Sequence, residues 1–150
     1  MSKVEFVPFK NNHAQYILDQ GLNSKFLELK PHHKKYAYYL EELGMSFTGI
    51  VDHKPIAAGG VSPLWDGCAE GWVLASKDIY KYPVTFARTI KIRTDYLCEN
   101  NFVKRLQTSV KADCEIAIRF AKWLGFKPEG LMKHYGPDGS DYYRFARIFK

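Results

Sequence analysis

The sequence predicts a single α/β domain over residues 1–150, built on a mixed sheet of about seven strands with helices on both faces. Three observations carry this expectation. Segments with strand and helix periodicity follow one another in the order β, α, α, β, β, β, α, β, α, β, β. Two polar stretches, Asp52 to Pro55 and Gly136 to Asp141, each join a pair of β-rich runs and signal hairpins. Two later strands are each followed by a helix, a pattern that returns the chain parallel to the sheet.

The elements follow in order. Residues 4–9, VEFVPF, alternate as a first strand. Residues 11–22 read as a short helix capped by Asn12. Residues 30–44 read as a second helix, with Pro31 near its start, Gly44 just past its end and a stripe of Tyr36, Tyr39, Leu40 and Leu43. Residues 45–65 form a hairpin, in which Gly59 and Gly60 imply a bulge or a close backbone approach. Residues 70–77 make a fourth strand, and Pro83 opens a long helix over 83–100. Phe86, Ala87, Ile90 and Leu97 face inward on that helix, with Arg88, Lys91 and Arg93 solvated. Residues 102–110 make a fifth strand. The next helix is capped by Asp113 and lined by Ala117, Phe120, Ala121 and Leu124. It stops at Gly125, where a left-handed residue is wanted, and Phe126 folds back on it. A final hairpin turns through Pro137, Asp138 and Gly139.

Composition bounds the function. Hydrophobic residues make up 46% and aromatics 15%, enough for a packed core. No apolar run reaches the length of a membrane span, and the N-terminus MSKVEFVPFK has no apolar signal stretch. Cys68, Cys98 and Cys114 are scattered, which implies reduced thiols and a cytoplasmic setting. The net charge of +6 invites a polyanion, either nucleic acid or a phosphate-bearing cofactor, although on charge alone an ordinary basic surface is the better account.

The element order resembles the GNAT superfamily of acyl-CoA-dependent N-acyltransferases. The local likeness lies in the hairpin GIVDHKPIAAGG and in Cys114, Ala117, Ala121, Gly125 and Phe126. These stand where family members carry an Asn, Ala, Tyr, Gly, Phe pattern after the fifth strand. The resemblance implies acetyl-CoA as cofactor and an amine or protein as acceptor. It implies Glu70 as the base, and Cys114 and Tyr135 as candidate acids. It implies that Val73, Leu74, Ala75, Lys77 and Lys81 border the cofactor. Two departures stand out. The family's glycine-rich phosphate loop reads ASKDIYKYPVTF here, without glycine, and the usual tyrosine slot holds Ala121. Tyr142 and Tyr143 lie near Tyr135 in sequence, and core or surface packing explains all three equally well.

The basic residues Lys77, Lys81, Arg88, Lys91 and Arg93, interleaved with Tyr80 and Tyr82, suit the adenosine-phosphate end of a CoA as well as a nucleic acid. No nucleic-acid motif accompanies them, so a nucleic acid is not the expected partner. The histidines of PHHKK, residues 31–35, lack further ligands at metal spacing and read as a basic helix start, so no metal is expected. With its basic charge, its length, the stretch PIAAGG and a tryptophan-bearing fourth strand, the chain also looks like small proteins of short-tailed bacteriophages, some described as internal virion proteins and others as candidate acetyltransferases. That likeness implies either an N-acetyltransferase in the host cytoplasm or a non-catalytic protein that assembles into the virion or binds a host protein.

Overall fold

The computed structural model describes residues 3–19 and 30–150, with side chains described over 3–19 and 37–150. Seven strands form one sheet in the order β1-β2-β3-β4-β5-β7-β6. They are β1 (Glu5–Pro8), β2 (Ser46–Val51), β3 (Lys54–Trp65), β4 (Cys68–Ala75), β5 (Arg105–Lys111), β6 (Lys127–Met132) and β7 (Tyr142–Ile148). Among the described residues four helices pack on it: α1 (Asn11–Asp19), α2 (Lys30–Leu43), α3 (Pro83–Asn100) and α4 (Glu115–Trp123). Every neighbouring pair is antiparallel except β4 and β5, which are parallel.

Strand alternation sorts the core into two halves. Ala57, Val61, Ala69 and Ala75 point to the face that carries α3 and α4, where Phe86, Ile90, Ala117 and Ala121 are buried with Leu106 and Phe145. Ala58 and Leu74 point to the other face and meet Ala14, Ile17, Ala37 and Leu40 of α1 and α2. The long, apolar runs of β3 and β4 follow from this, because both faces of the central strands are covered.

Two glycines show why the chain needs them. The helix α4 ends in a Schellman motif: Gly125 N–H donates to the Lys122 carbonyl and Phe126 N–H to the Ala121 carbonyl, each at 3.0 Å. Gly125 has φ +99°, as expected from the sequence, and Phe126 is buried beneath the turn. At Gly60 a Cβ would lie 2.4 Å from the Met45 carbonyl oxygen, so a neighbouring backbone does approach closely.

Several local expectations are corrected. The bulge between β2 and β3 falls at Gly49/Ile50 and not at Gly59 and Gly60, which keep regular pairing. Asn12 lies inside α1, which starts at Asn11; the Glu41 carboxylate from α2 accepts the Asn11 N–H instead. Asp113 gives way to Cys114 at the start of α4, without a side-chain cap bond. Tyr39 is exposed, and Ala37 takes its place beside Leu40 because that spacing faces the sheet. The fifth strand starts at Arg105, since Phe102 adopts φ +55° and is exposed. Lys91 is half-buried and sits 5.0 Å over the Trp123 ring. The expectations for residues 20–22, for the Tyr36 side chain and for the side chains of PHHKK lie outside the described residues.

Candidate active site

The parallel ladder between β4 and β5 is short. It pairs Cys68 with Arg105, Ala69 with Leu106 and Glu70 with Gln107, and then stops. Yet β4 continues to Ala75 and β5 to Lys111, so the two strands fork. A cavity of about 340 Å³ occupies the fork. Ile90, Ala117, Phe120 and Ala121 wall it on the α3/α4 side, and Glu70, Ser109, Tyr135 and Tyr142 contribute from the other. It therefore reaches both faces of the sheet at the carboxyl ends of parallel strands, where α/β folds place ligands.

The edge of β4 supplies backbone groups to this cavity. Thr108 Oγ1 donates to the Gly71 carbonyl across the fork at 3.1 Å, so the Gly71 backbone faces β5. Successive residues of a strand present their N–H and C=O to alternate sides. Val73 and Ala75 accordingly turn theirs toward the fork, and Val73 lines the cavity. Leu74 turns its backbone to β3, and its side chain is 1% exposed in the α1/α2 core.

Glu70 stands at the vertex of the fork. Gln107 Nε2 donates to its Oε1 at 3.1 Å, and Arg144 Nη1 reaches both carboxylate oxygens at 3.2 and 3.3 Å. The carboxylate is half-buried and held from two strands, β5 and β7. Tyr135 lies at the mouth, half-exposed, with its ring 5.4 Å from that of Tyr142 and the Arg144 guanidinium 6.0 Å from its own centroid. Cys114 is buried at the start of α4 and does not line the cavity. Burial pushes a second thiol, Cys98, up to about 11, with Arg147 opposing. The structure thus brings Glu70, Tyr135 and Val73 to one cavity, and leaves Cys114 and the Leu74 side chain outside it.

Ser109 was not singled out from sequence, and Trp72 was not read as a site residue. Both line the cavity, and Ser109 Oγ and Trp72 Nε1 are buried without a hydrogen-bond partner. Only the placement of a lone serine beside the fork draws notice to it, and that placement is a tertiary feature.

The segment after β4 forms a 3₁₀ turn, Lys77–Lys81. Ile79 N–H donates to the Ser76 carbonyl and Tyr82 N–H to the Ile79 carbonyl, so two of its amides are already used. Lys77 is exposed, and Lys81 pairs with Asp78 at 3.4 Å. Neither lysine lines the cavity. Pro83 opens α3 and has no N–H of its own to place, and the amides of Val84 and Thr85, in the first turn, have no intrahelical partner. The residues present fit the pantetheine arm of an acyl-CoA: the free edge of β4 can pair with its amides, and the apolar wall can cover its methylene groups. At the phosphate end they offer lysine charge and two helix amides rather than a glycine cradle.

No protein-family model matches the sequence, and no curated protein matches it. The fold does have close counterparts among solved structures. Ard1 from Thermoplasma volcanium superposes with a TM-score of 0.79 at 18% identity, covering 98% of each chain. A GNAT-family acetyltransferase from Streptococcus pneumoniae gives 0.75 at 12% identity, over 99% of this chain and 100% of that one. RimL, a ribosomal-protein α-N-acetyltransferase solved with coenzyme A, gives 0.74 at 13% identity, over 97% and 94%. The chain has the fold of the GNAT-family acetyltransferases.

Proposed function

We propose that the protein is an acyl-CoA-dependent N-acetyltransferase that acts on an amine acceptor. The observation that carries this reading is the β4/β5 fork, with a cavity that passes through the sheet and a carboxylate fixed at its vertex. The coenzyme A bound in RimL supports the same ligand class here.

Acetyl-CoA supplies a thioester whose carbonyl carbon is open to attack by an amine. The chain's residues do the rest. Val73 and Ala75 offer backbone hydrogen bonds along the β4 edge, and Leu74 anchors that edge in the core. Lys77 and Lys81 supply positive charge near the open end, beside the start of α3. Glu70 takes the acceptor's proton, directly or through one water, while Gln107 and Arg144 fix its direction. Tyr135 borders the acceptor entrance. Cys114, buried at the head of α4 and outside the cavity, packs the core and does not reach the reacting groups.

A second reading is a non-catalytic protein of this fold, assembled into a phage virion or bound to a host protein. Ala121 in the family's tyrosine slot and the amides used up in the 3₁₀ turn favour it. In either reading the protein works in the host cytoplasm, and in the second it enters the particle. The two are separated by mixing acetyl-CoA with amines of several classes (free amino acids, polyamines, peptides with free N-termini and lysine-bearing peptides) and following thiol release. Release that depends on the amine and disappears in Glu70→Gln supports the enzyme. Release from none of these classes supports the second reading.

A further inference from the structure

We propose that Ser109 is a catalytic residue, whose hydroxyl donates a hydrogen bond to the departing CoA sulfur; the proposal rests on the acyltransferase reading above. A proton donor from α4 is missing, because Ala121 has no polar atom. Ser109 lies on the opposite wall, on β5, two residues beyond Gln107. Strand alternation puts Ser109, Gln107 and Glu70 on one face, and Glu70 and Gln107 are bonded there. Continuing the ladder's register places Ser109 opposite Trp72, just past the point where the strands part.

Its hydroxyl oxygen is buried and has no partner, although the residue lines the cavity. A buried hydroxyl without a partner is unfavourable for folding, and beside a cavity it can find that partner in a ligand. The other unpartnered atom, Trp72 Nε1, belongs to a ring packed edge-on against Phe9 at 5.1 Å, toward α1. Tyr135 is at the mouth, and Cys114 is off the cavity. Ser109 is therefore a hydroxyl of the cavity wall with no partner within the protein, on the same face as Glu70.

The spacing fits an acyl transfer. Two residues of strand separate Gln107 from Ser109 by about 7 Å. A proton acceptor, an attacking nitrogen, a carbonyl carbon, a sulfur and its hydrogen-bond donor form a chain bent at the tetrahedral carbon, with gaps of about 3 Å between reacting groups, and its ends lie a similar distance apart. The amine nitrogen forms the new C–N bond, and its proton passes to Glu70. The C–S electron pair leaves on sulfur, where the Ser109 O–H stabilises it as a thiolate. A serine hydroxyl is too weak an acid to give up its proton, so the proton stays on Ser109. The thiolate is neutralised from solvent on release.

The test uses coenzyme A itself and needs no acceptor. The ultraviolet absorbance of the bound thiolate is followed against pH, after subtracting the protein alone. Ser109→Ala should raise the ionisation pH of the bound thiol by about one to two units, and Ser109→Thr should leave it near the wild-type value. The unliganded Ala variant should melt at or above the wild-type temperature, because it loses a hydroxyl that has no partner. An unchanged ionisation pH with CoA still bound overturns the role of Ser109 and leaves the acyltransferase reading standing. A large loss of unliganded stability also overturns it, by making the hydroxyl structural. Failure of CoA to bind the wild-type protein overturns both.

Discussion

Glu70 and Gln107 form the last rung of the parallel ladder, and their side chains are bonded to each other at 3.1 Å. Beyond this pair the strands separate and the cavity begins. One pair of residues thus ends the sheet's central pairing and aims a carboxylate at the space that opens.

Replacing that carboxylate is expected to remove proton acceptance while keeping the fold. Glu70→Gln retains a hydrogen-bonding amide toward Gln107 and Arg144. Turnover with a responsive amine should fall by about 10²- to 10⁴-fold, with CoA affinity little changed. Steady-state kinetics beside a CoA titration check this. Equal loss in both would assign Glu70 to binding or folding.

Gly125 carries a second expectation. Its φ of +99° disfavours any residue with a Cβ, and a Cβ there would lie 3.3 Å from Arg147 Cδ and Nε. Arg147 is held by Asp95 at 2.6 Å and by the Leu124 carbonyl at 3.2 Å, so it has little freedom to move aside. Gly125→Val should destabilise the fold by about 1–2 kcal/mol in urea unfolding. A neutral result would contradict the strain.

The α1 region should weaken in mild acid. His13 Nδ1 accepts from the Lys10 N–H at 3.1 Å and lies 2.9 Å from Thr48 Oγ1. Burial first, and the nearby Lys10 charge second, hold His13 below its ordinary value, with Glu41 opposing. A lowered folded value means that the neutral ring stabilises the fold at higher pH. This stabilisation is complete above the unfolded value near 6.5 and is lost as pH falls through the lower folded value. Urea midpoints measured between about pH 7 and pH 5 should fall, and His13→Asn should flatten that fall. Equal slopes in the two proteins would remove His13 as the cause.

How much of this was legible in the sequence depends on the range of the interaction. Gly125 was legible because a helix stop needs a left-handed residue, whatever surrounds it. The hairpin at Asp52 and His53 was legible for a similar reason, and both residues do take positive φ. The α4 cap was misplaced by one residue: Asp113 has the right chemistry, but the helix starts after Cys114. Glu70 could be picked from its place at the head of a strand, whereas its partners Gln107 and Arg144 come from β5 and β7, far along the chain. Ser109 was illegible because it gains meaning only where two strands diverge. The lysines after β4 could be read, but the 3₁₀ turn that uses up their neighbours' amides could not.

The central claim, that the fork between β4 and β5 takes an acyl-CoA, is tested most directly by calorimetric titration with acetyl-CoA at low and at high salt. The account predicts binding that weakens as salt rises, because lysine charge stands in for a glycine cradle at the phosphate end. Lys77→Ala with Lys81→Ala should weaken it further at low salt. Absence of binding even at low salt would contradict the account.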